Sequence, residues 1–122
     1  MLLKEYVSNN SKISIFEKYA IFSVAKGRKL DQTVANEIRT ALKIHYPRSP
    51  FVIIREELHE LEVDFSVYKK RAMRNLKGLA IVSSNEAVRK RAIEEQSLFD
   101  DSFAFFTSID DAKSWADTFV FI

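Results

Sequence analysis

The chain opens with strand-like alternation. Leu2 to Val7 is a short strand candidate, closed by four turn-forming residues in a row, Ser8, Asn9, Asn10 and Ser11. Beyond them Ile13, Ile15 and, after Glu17, Tyr19 are separated by polar neighbours, the period of two expected of a half-buried strand. Tyr19 to Ala25 (YAIFSVA) is almost continuously apolar and suits a central strand. These two segments read as a hairpin turning at Glu17 and Lys18.

After Lys26-Gly27-Arg28 the period changes to that of a helix. Asp31 is placed as an N-cap, and Val34, Ile38, Ala41, Leu42 and His45 or Tyr46 recur on one face until Pro47. Pro47 and Pro50 end that helix, since proline lacks the amide hydrogen and biases its predecessor away from helical angles. Phe51 to Ile54 follows as a short buried strand. Glu56 to Asp64 is an acidic connection, after which Phe65, Tyr68, Ala72 and Leu76 fall on one face of an expected second helix. Gly78 marks a break before a strand from Leu79 to Val82. Ser83 and Glu86 have capping-box spacing for a third helix carrying Val88, Ala92 and Phe99. Phe103 to Thr107 (FAFFT) is the last strand. Ser108-Ile109-Asp110-Asp111 opens a final helix with Ile109, Ala112, Trp115 or Ala116, and Phe119 inward.

The resulting order is β-β-β-α-β-α-β-α-β-α. Alternation of strands and helices implies right-handed crossovers and parallel pairing, with the opening hairpin supplying the antiparallel part. The expected fold class is α/β, a mixed and mostly parallel sheet with helices and N-terminal antiparallel strands, in one domain over residues 1–122.

This order, from about Ile13 to Phe119, resembles the STAS domain in its SpoIIAA-like branch. The most telling segment is KGLAIVSSNEAVRKRAIEEQSLFDDSFAFFTSIDDAKSWA, residues 77–116, in which a Phe-containing strand leads into an acidic, alanine-bearing helix with a Trp. The resemblance implies a STAS-like fold and a non-enzymatic regulatory or protein-interaction role, with a regulatory protein as partner. Its likeness to lipid-transfer domains of the CRAL-TRIO type supplies the alternative, an apolar small-molecule or lipid-binding protein. One departure from the family pattern concerns the phosphorylated Asp-Ser-Ser-Gly-type turn of anti-sigma antagonists. Here Val63-Asp64-Phe65-Ser66-Val67-Tyr68 keeps Asp64 and Ser66 but lacks the adjacent hydroxyl–Gly pair. Asp64 and Ser66 are the candidate switch loop; helix capping is the commoner role for both residue types.

Composition narrows the chemistry. Among 122 residues, 19 basic and 17 acidic side chains leave a net charge of +2, too little for a nucleic-acid-binding surface. The basic runs Lys69-Lys70-Arg71, with Arg74 and Lys77, and Arg89-Lys90-Arg91 therefore read as solvated helix faces balanced by Glu56, Glu57, Glu60, Glu62, Glu94 and Glu95. There is no Cys, which removes disulfides, thiolate metal sites and thiol nucleophiles and favours a cytoplasmic location. Neither a leader peptide nor a membrane-spanning apolar run is expected. Two Gly in the whole chain cannot build a glycine-rich phosphate loop. His45 and His59 read as structural or solvated, so no catalytic residue, metal or cofactor is assigned.

Two surfaces remain as candidate sites. In open α/β sheets ligands gather beyond the carboxyl ends of parallel strands, where helix N-termini also point. Lys26, Arg28, Arg55, Ser83, Ser84 and Asn85 form a candidate ligand or anion rim there. The aromatic surplus, ten Phe, four Tyr and one Trp, is mostly core. Alternation nevertheless sets Phe105 and Phe106 on opposite faces, and Phe119 and Phe121 cannot share one helical face. Phe105, Phe106, Trp115, Phe119 and Phe121 are thus a candidate apolar or partner surface, and a homodimer is expected to bury it.

Overall fold

A computed structural model describes residues 1–69 and 73–121. Six strands form one sheet in sequence order: β1 (Lys4–Val7), β2 (Ser11–Ile15), β3 (Tyr19–Val24), β4 (Phe51–Glu56), β5 (Leu76–Val82) and β6 (Ser102–Phe106). β1, β2 and β3 pair antiparallel, and β3 through β6 pair parallel. Tyr19 lies opposite Val52 and Phe22 opposite Arg55, so the expected parallel register of the central pair is present. The β2–β3 hairpin turns at Glu17 and Lys18, closed by the Phe16 amide donating to the Tyr19 carbonyl at 2.8 Å.

Helix α1 (Gln32–His45) starts where Asp31 accepts from the Val34 amide at 3.0 Å. Helix α2 spans Glu86–Gln96 and helix α3 spans Ile109–Asp117. Ser108 caps α3 as expected, accepting from the Asp110 and Asp111 amides. The cap of α2 is Asn85, whose side chain accepts from the Ala87 amide at 2.8 Å; Ser83 sits two residues upstream and accepts from the Asn85 amide at 3.1 Å. An amide oxygen beside the first turn has displaced the expected capping box.

The larger correction lies between β4 and β5. Among the described residues the helix expected from Phe65 to Leu76 is replaced by one 3-10 turn, η1 (Phe65–Tyr68), and Leu76 already belongs to β5. Lys70, Arg71 and Ala72 lie outside the described residues, so the basic run and the helix face that included them are not described at those positions. Gly78 falls inside β5, where it has a packing role. A Cβ there would meet Val52 at 3.0 Å, Trp115 at 3.1 Å and Phe119 at 3.2 Å, so glycine lets two aromatic rings lie directly on the strand.

With neighbouring parallel strands added in order, right-handed crossovers set α1, η1 and α2 on one face of the sheet. The chain then folds back after β6 and lays α3 on the other. Val34, Ile38, Ala41 and Leu42 of α1 pack on Ile13, Ile15 and Phe22, while Val88 and Ala92 of α2 pack on Ile81. Across the sheet, Ala112 and Ala116 of α3 pack on Val52, Ile54, Ala80 and Val82.

Candidate functional site

At the carboxyl end of β4 the apolar run Phe51–Ile54 gives way to Arg55, which points to the α1 and α2 face and is 2% exposed. A guanidinium stripped of water needs acceptors for its fork of N–H groups. It finds Glu95 of α2, with Nη2 donating to Oε2 at 2.7 Å, and Glu57, with Nε donating to Oε2 at 3.0 Å. Arg91, one turn before Glu95, donates to Glu57 Oε1 at 2.6 Å, to Glu95 Oε2 at 3.2 Å and to the Leu61 carbonyl at 2.7 Å. Tyr68 of η1 donates its hydroxyl to Glu95 Oε1 at 2.6 Å. Two cations and two carboxylates thus neutralise each other and tie β4, η1 and α2 together.

The electrostatics follow from burial opposed by pairing. Burial alone would push the Glu95 carboxyl upward. The hydrogen bond from Arg55 and its charge reverse this and hold Glu95 below the ordinary glutamate value. Burial likewise works against the Arg55 charge, and the Glu95 contact overcomes it, leaving the guanidinium more firmly protonated than usual. The Tyr68 hydroxyl is raised above its ordinary value, chiefly by burial.

Beside this cluster the same face holds a cavity of about 140 Å³. Its walls are mostly apolar: Phe22, Ile53 and Leu79 from the sheet, Ile38 and Leu42 from α1, and Phe99 from the segment after α2. Arg55, Tyr68, Arg39 and Asp100 are the polar lining groups that bear on its chemistry. The cavity lies above β4 and β5, between α1 and the segment that follows α2. A full crossover helix would cover this ground; among the described residues the crossover supplies one 3-10 turn.

The candidate residues named from sequence do not gather in one place. Lys26, Arg28, Ser84 and Asn85 are exposed at the carboxyl edge of the sheet, Ser83 is buried beneath the start of α2, and Arg55 has turned inward to Glu57 and Glu95. Arg55, one of the six rim candidates, therefore has its guanidinium paired with carboxylates and not turned to the exposed edge. In the candidate switch loop Asp64 caps η1, accepting from the Ser66 amide at 2.9 Å, a bond that lowers the Asp64 pKa. The Ser66 carbonyl accepts from Gln32 of α1 at 2.7 Å. Phe105, Phe106, Trp115, Phe119 and Phe121 are all half-buried. Four of them join the α3 side, with Phe106–Trp115, Trp115–Phe119 and Phe119–Phe121 ring centroids 6.1, 5.3 and 5.1 Å apart. The cavity lies on the face away from that cluster. His45 accepts or donates a 2.7 Å hydrogen bond with Tyr6, and His59 stays in its own loop, 3.1 Å from the Glu60 carbonyl. Among the described residues no three His, Asp or Glu side chains come together as metal ligands.

The acidic and basic residues counted as solvated include the ones that matter most. Glu57, Arg91 and Glu95 are held inside, and only the sequence spacing could have flagged two of them. Glu95 is seven residues after Val88 and three after Ala92, on the face that those residues bury, and Arg91 precedes it by one turn. An arginine ending the buried run FVII requires such a partner, because a buried guanidinium needs acceptors.

No protein-family model matches the chain, and no curated protein matches it. Among solved structures it is similar to an uncharacterized DUF3478-family protein with a SpoIIAA-like fold from Shewanella loihica PV-4. That likeness has a TM-score of 0.66 at 18% identity, over 91% of this chain and 98% of the other. The fold is SpoIIAA-like, as the sequence resemblance implied. Among the described residues no helix is long and apolar enough to cross a membrane.

Proposed function

We propose that this chain is a binding module without catalytic activity, acting in the cytoplasm, whose site is the cavity roofed by η1. One observation carries the reading: a mostly apolar space of about 140 Å³ lies over the central strands, with a few polar groups around it. A dry cavity near 150 Å³ accommodates a molecule of benzene size, so the fitting ligand has on the order of six to ten heavy atoms. This is the small-molecule branch of the two roles considered from sequence. The strongly perturbed groups nearby, Arg55, Glu95 and Tyr68, satisfy one another, an arrangement suited to a rigid floor rather than to proton transfer.

The test fills the space. Ala35 of α1 lines the cavity and is buried, so Ala35→Leu places three added carbons in it. The variant is expected to keep its melting temperature within a few degrees while losing small apolar ligands, read by amide chemical-shift changes at Ile38, Ile53 and Leu79. Ligand-induced shifts that persist unchanged in Ala35→Leu would place binding elsewhere and end this reading.

A regulatory protein partner or a second copy of the chain is the other proposal, favoured by the half-exposed rims of Trp115, Phe119 and Phe121 beside exposed Val120. Sedimentation giving only a 14.1 kDa species at tens of micromolar would remove the homodimer.

A further inference from the structure

Among the described residues two arginines line the cavity, and they are not equivalent. Arg55 is fully matched: with Arg91 it shares the carboxylates of Glu57 and Glu95, so that cluster sums to zero charge. Arg39, on the α1 face that also presents Ala35, Ile38 and Leu42, is half-buried and differently held. Its Nη1 donates to Gln32 Oε1 at 3.2 Å and to Asn36 Oδ1 at 3.0 Å, and its Nη2 donates to the Val67 carbonyl at 2.8 Å. Each of these acceptors is neutral. Loss of hydration lowers the Arg39 pKa, with no compensating carboxylate among its bonded partners. The three bonds also fix the guanidinium in place between α1 and η1, which removes most of the side-chain entropy that an arginine ordinarily loses on binding.

From this we infer that the cavity selects small apolar molecules bearing a carboxylate, and that Arg39 receives that carboxylate while the apolar body lies against Ile38, Ile53 and Leu79. The inference rests on the cavity being the binding site. A planar guanidinium offers N–H groups in the geometry of a carboxylate, and a charge-assisted contact at a partly dehydrated position is about twice as strong as a neutral one. Asp100, which lines the same cavity from the segment between α2 and β6, disfavours an anion at its end and so orients the ligand. Arg55 cannot take the same part, because an added anion there would compete with two carboxylates already in place.

Matched acids and primary amides separate charge from shape. Benzoate, phenylacetate, phenylpropionate and isovalerate, each with its amide, are titrated into wild type, Arg39→Gln and Arg39→Lys, and dissociation constants are read from amide shifts at the cavity residues. Wild type is expected to bind at least one acid about tenfold or more tightly than its amide. Arg39→Gln should abolish that ratio with little change in amide affinity, and Arg39→Lys should retain part of it. Because Arg39 also holds Val67, melting temperatures accompany each titration; should Arg39→Gln be unfolded, the wild-type ratio and Arg39→Lys decide. Equal affinity for acid and amide in wild type, or an acid preference that survives Arg39→Gln, overturns the role of Arg39 while leaving the cavity as a site. Absence of binding by every pair at the cavity residues overturns both.

Discussion

The two faces of the sheet solve the same packing problem in opposite ways. On the α3 face small residues meet large ones: Ala112 and Ala116 settle on Ile54, Ala80 and Val82, and Gly78 admits Trp115 and Phe119 to van der Waals contact. On the α1 and α2 face, apolar packing under α1 gives way to a buried four-charge cluster and a cavity. Close packing of small residues against large ones brings side chains on that face into direct contact. The opposite face keeps room for a guest, and the ionic cluster holds the cavity's walls in register where side-chain packing does not.

The largest expected effect breaks the charged face. Glu95→Ala leaves Arg55 buried with half its carboxylate partners gone, and unfolding in urea should show a loss of about 3–5 kcal/mol. The double variant Arg55→Met, Glu95→Leu should recover most of that loss, since Arg91 and Glu57 still pair with each other; a double variant as unstable as the single one would mean that the cluster supplies net stability. Next comes the dry face. Gly78→Val forces side-chain atoms into Val52, Trp115 and Phe119, a cost of about 1–3 kcal/mol, with an altered Trp115 emission spectrum as its signature. An unchanged spectrum and midpoint would show that the rings do not rest on the strand.

Acid should sharpen the contrast further. Because the folded-state pKa of Glu95 is depressed, its contribution is complete above the ordinary glutamate value near 4.5 and is lost as pH falls through the folded value. Urea midpoints measured from pH 7 down to pH 3 should therefore fall more steeply below about 4.5 in wild type than in Glu95→Gln. Parallel profiles would contradict the pairing. The smallest effect is local: Asn85→Ala removes the α2 cap and should cost about 1 kcal/mol in thermal unfolding. No change would mean that Ser83 takes over the cap.

The order of elements was legible because the period of apolar residues changes cleanly after Ala25 and because Pro47, Pro50 and the caps at Asp31 and Ser108 punctuate the chain. The spacing of Phe65, Tyr68, Ala72 and Leu76 misled, since it fits a helix while Leu76 is taken into β5 by pairing with Phe51. Pairing of that kind depends on residues distant in sequence and leaves no local period. The site was read only in part for the same reason. Arg55 was singled out, yet its partners Glu57, Arg91 and Glu95 look like ordinary surface charge until three elements converge. The cavity is lined from β3, β4, β5, α1, η1 and the segment after α2, elements that no single stretch of the sequence brings together.

The sequential order of the strands also bears on how the chain reaches this state. No strand is inserted between two that precede it, so the sheet can grow from the β1–β2–β3 meander by adding β4, β5 and β6 at a single edge. The three additions close connections of 26, 19 and 19 residues, a modest entropic cost for a parallel sheet. Growth in one direction leaves the α2 cluster until late, because Arg55 gains Glu95 only after β5 has been laid down. Folding should thus be faster than parallel pairing usually permits. The charged cluster would then act chiefly on the rate of unfolding, as a latch that closes after the sheet is built.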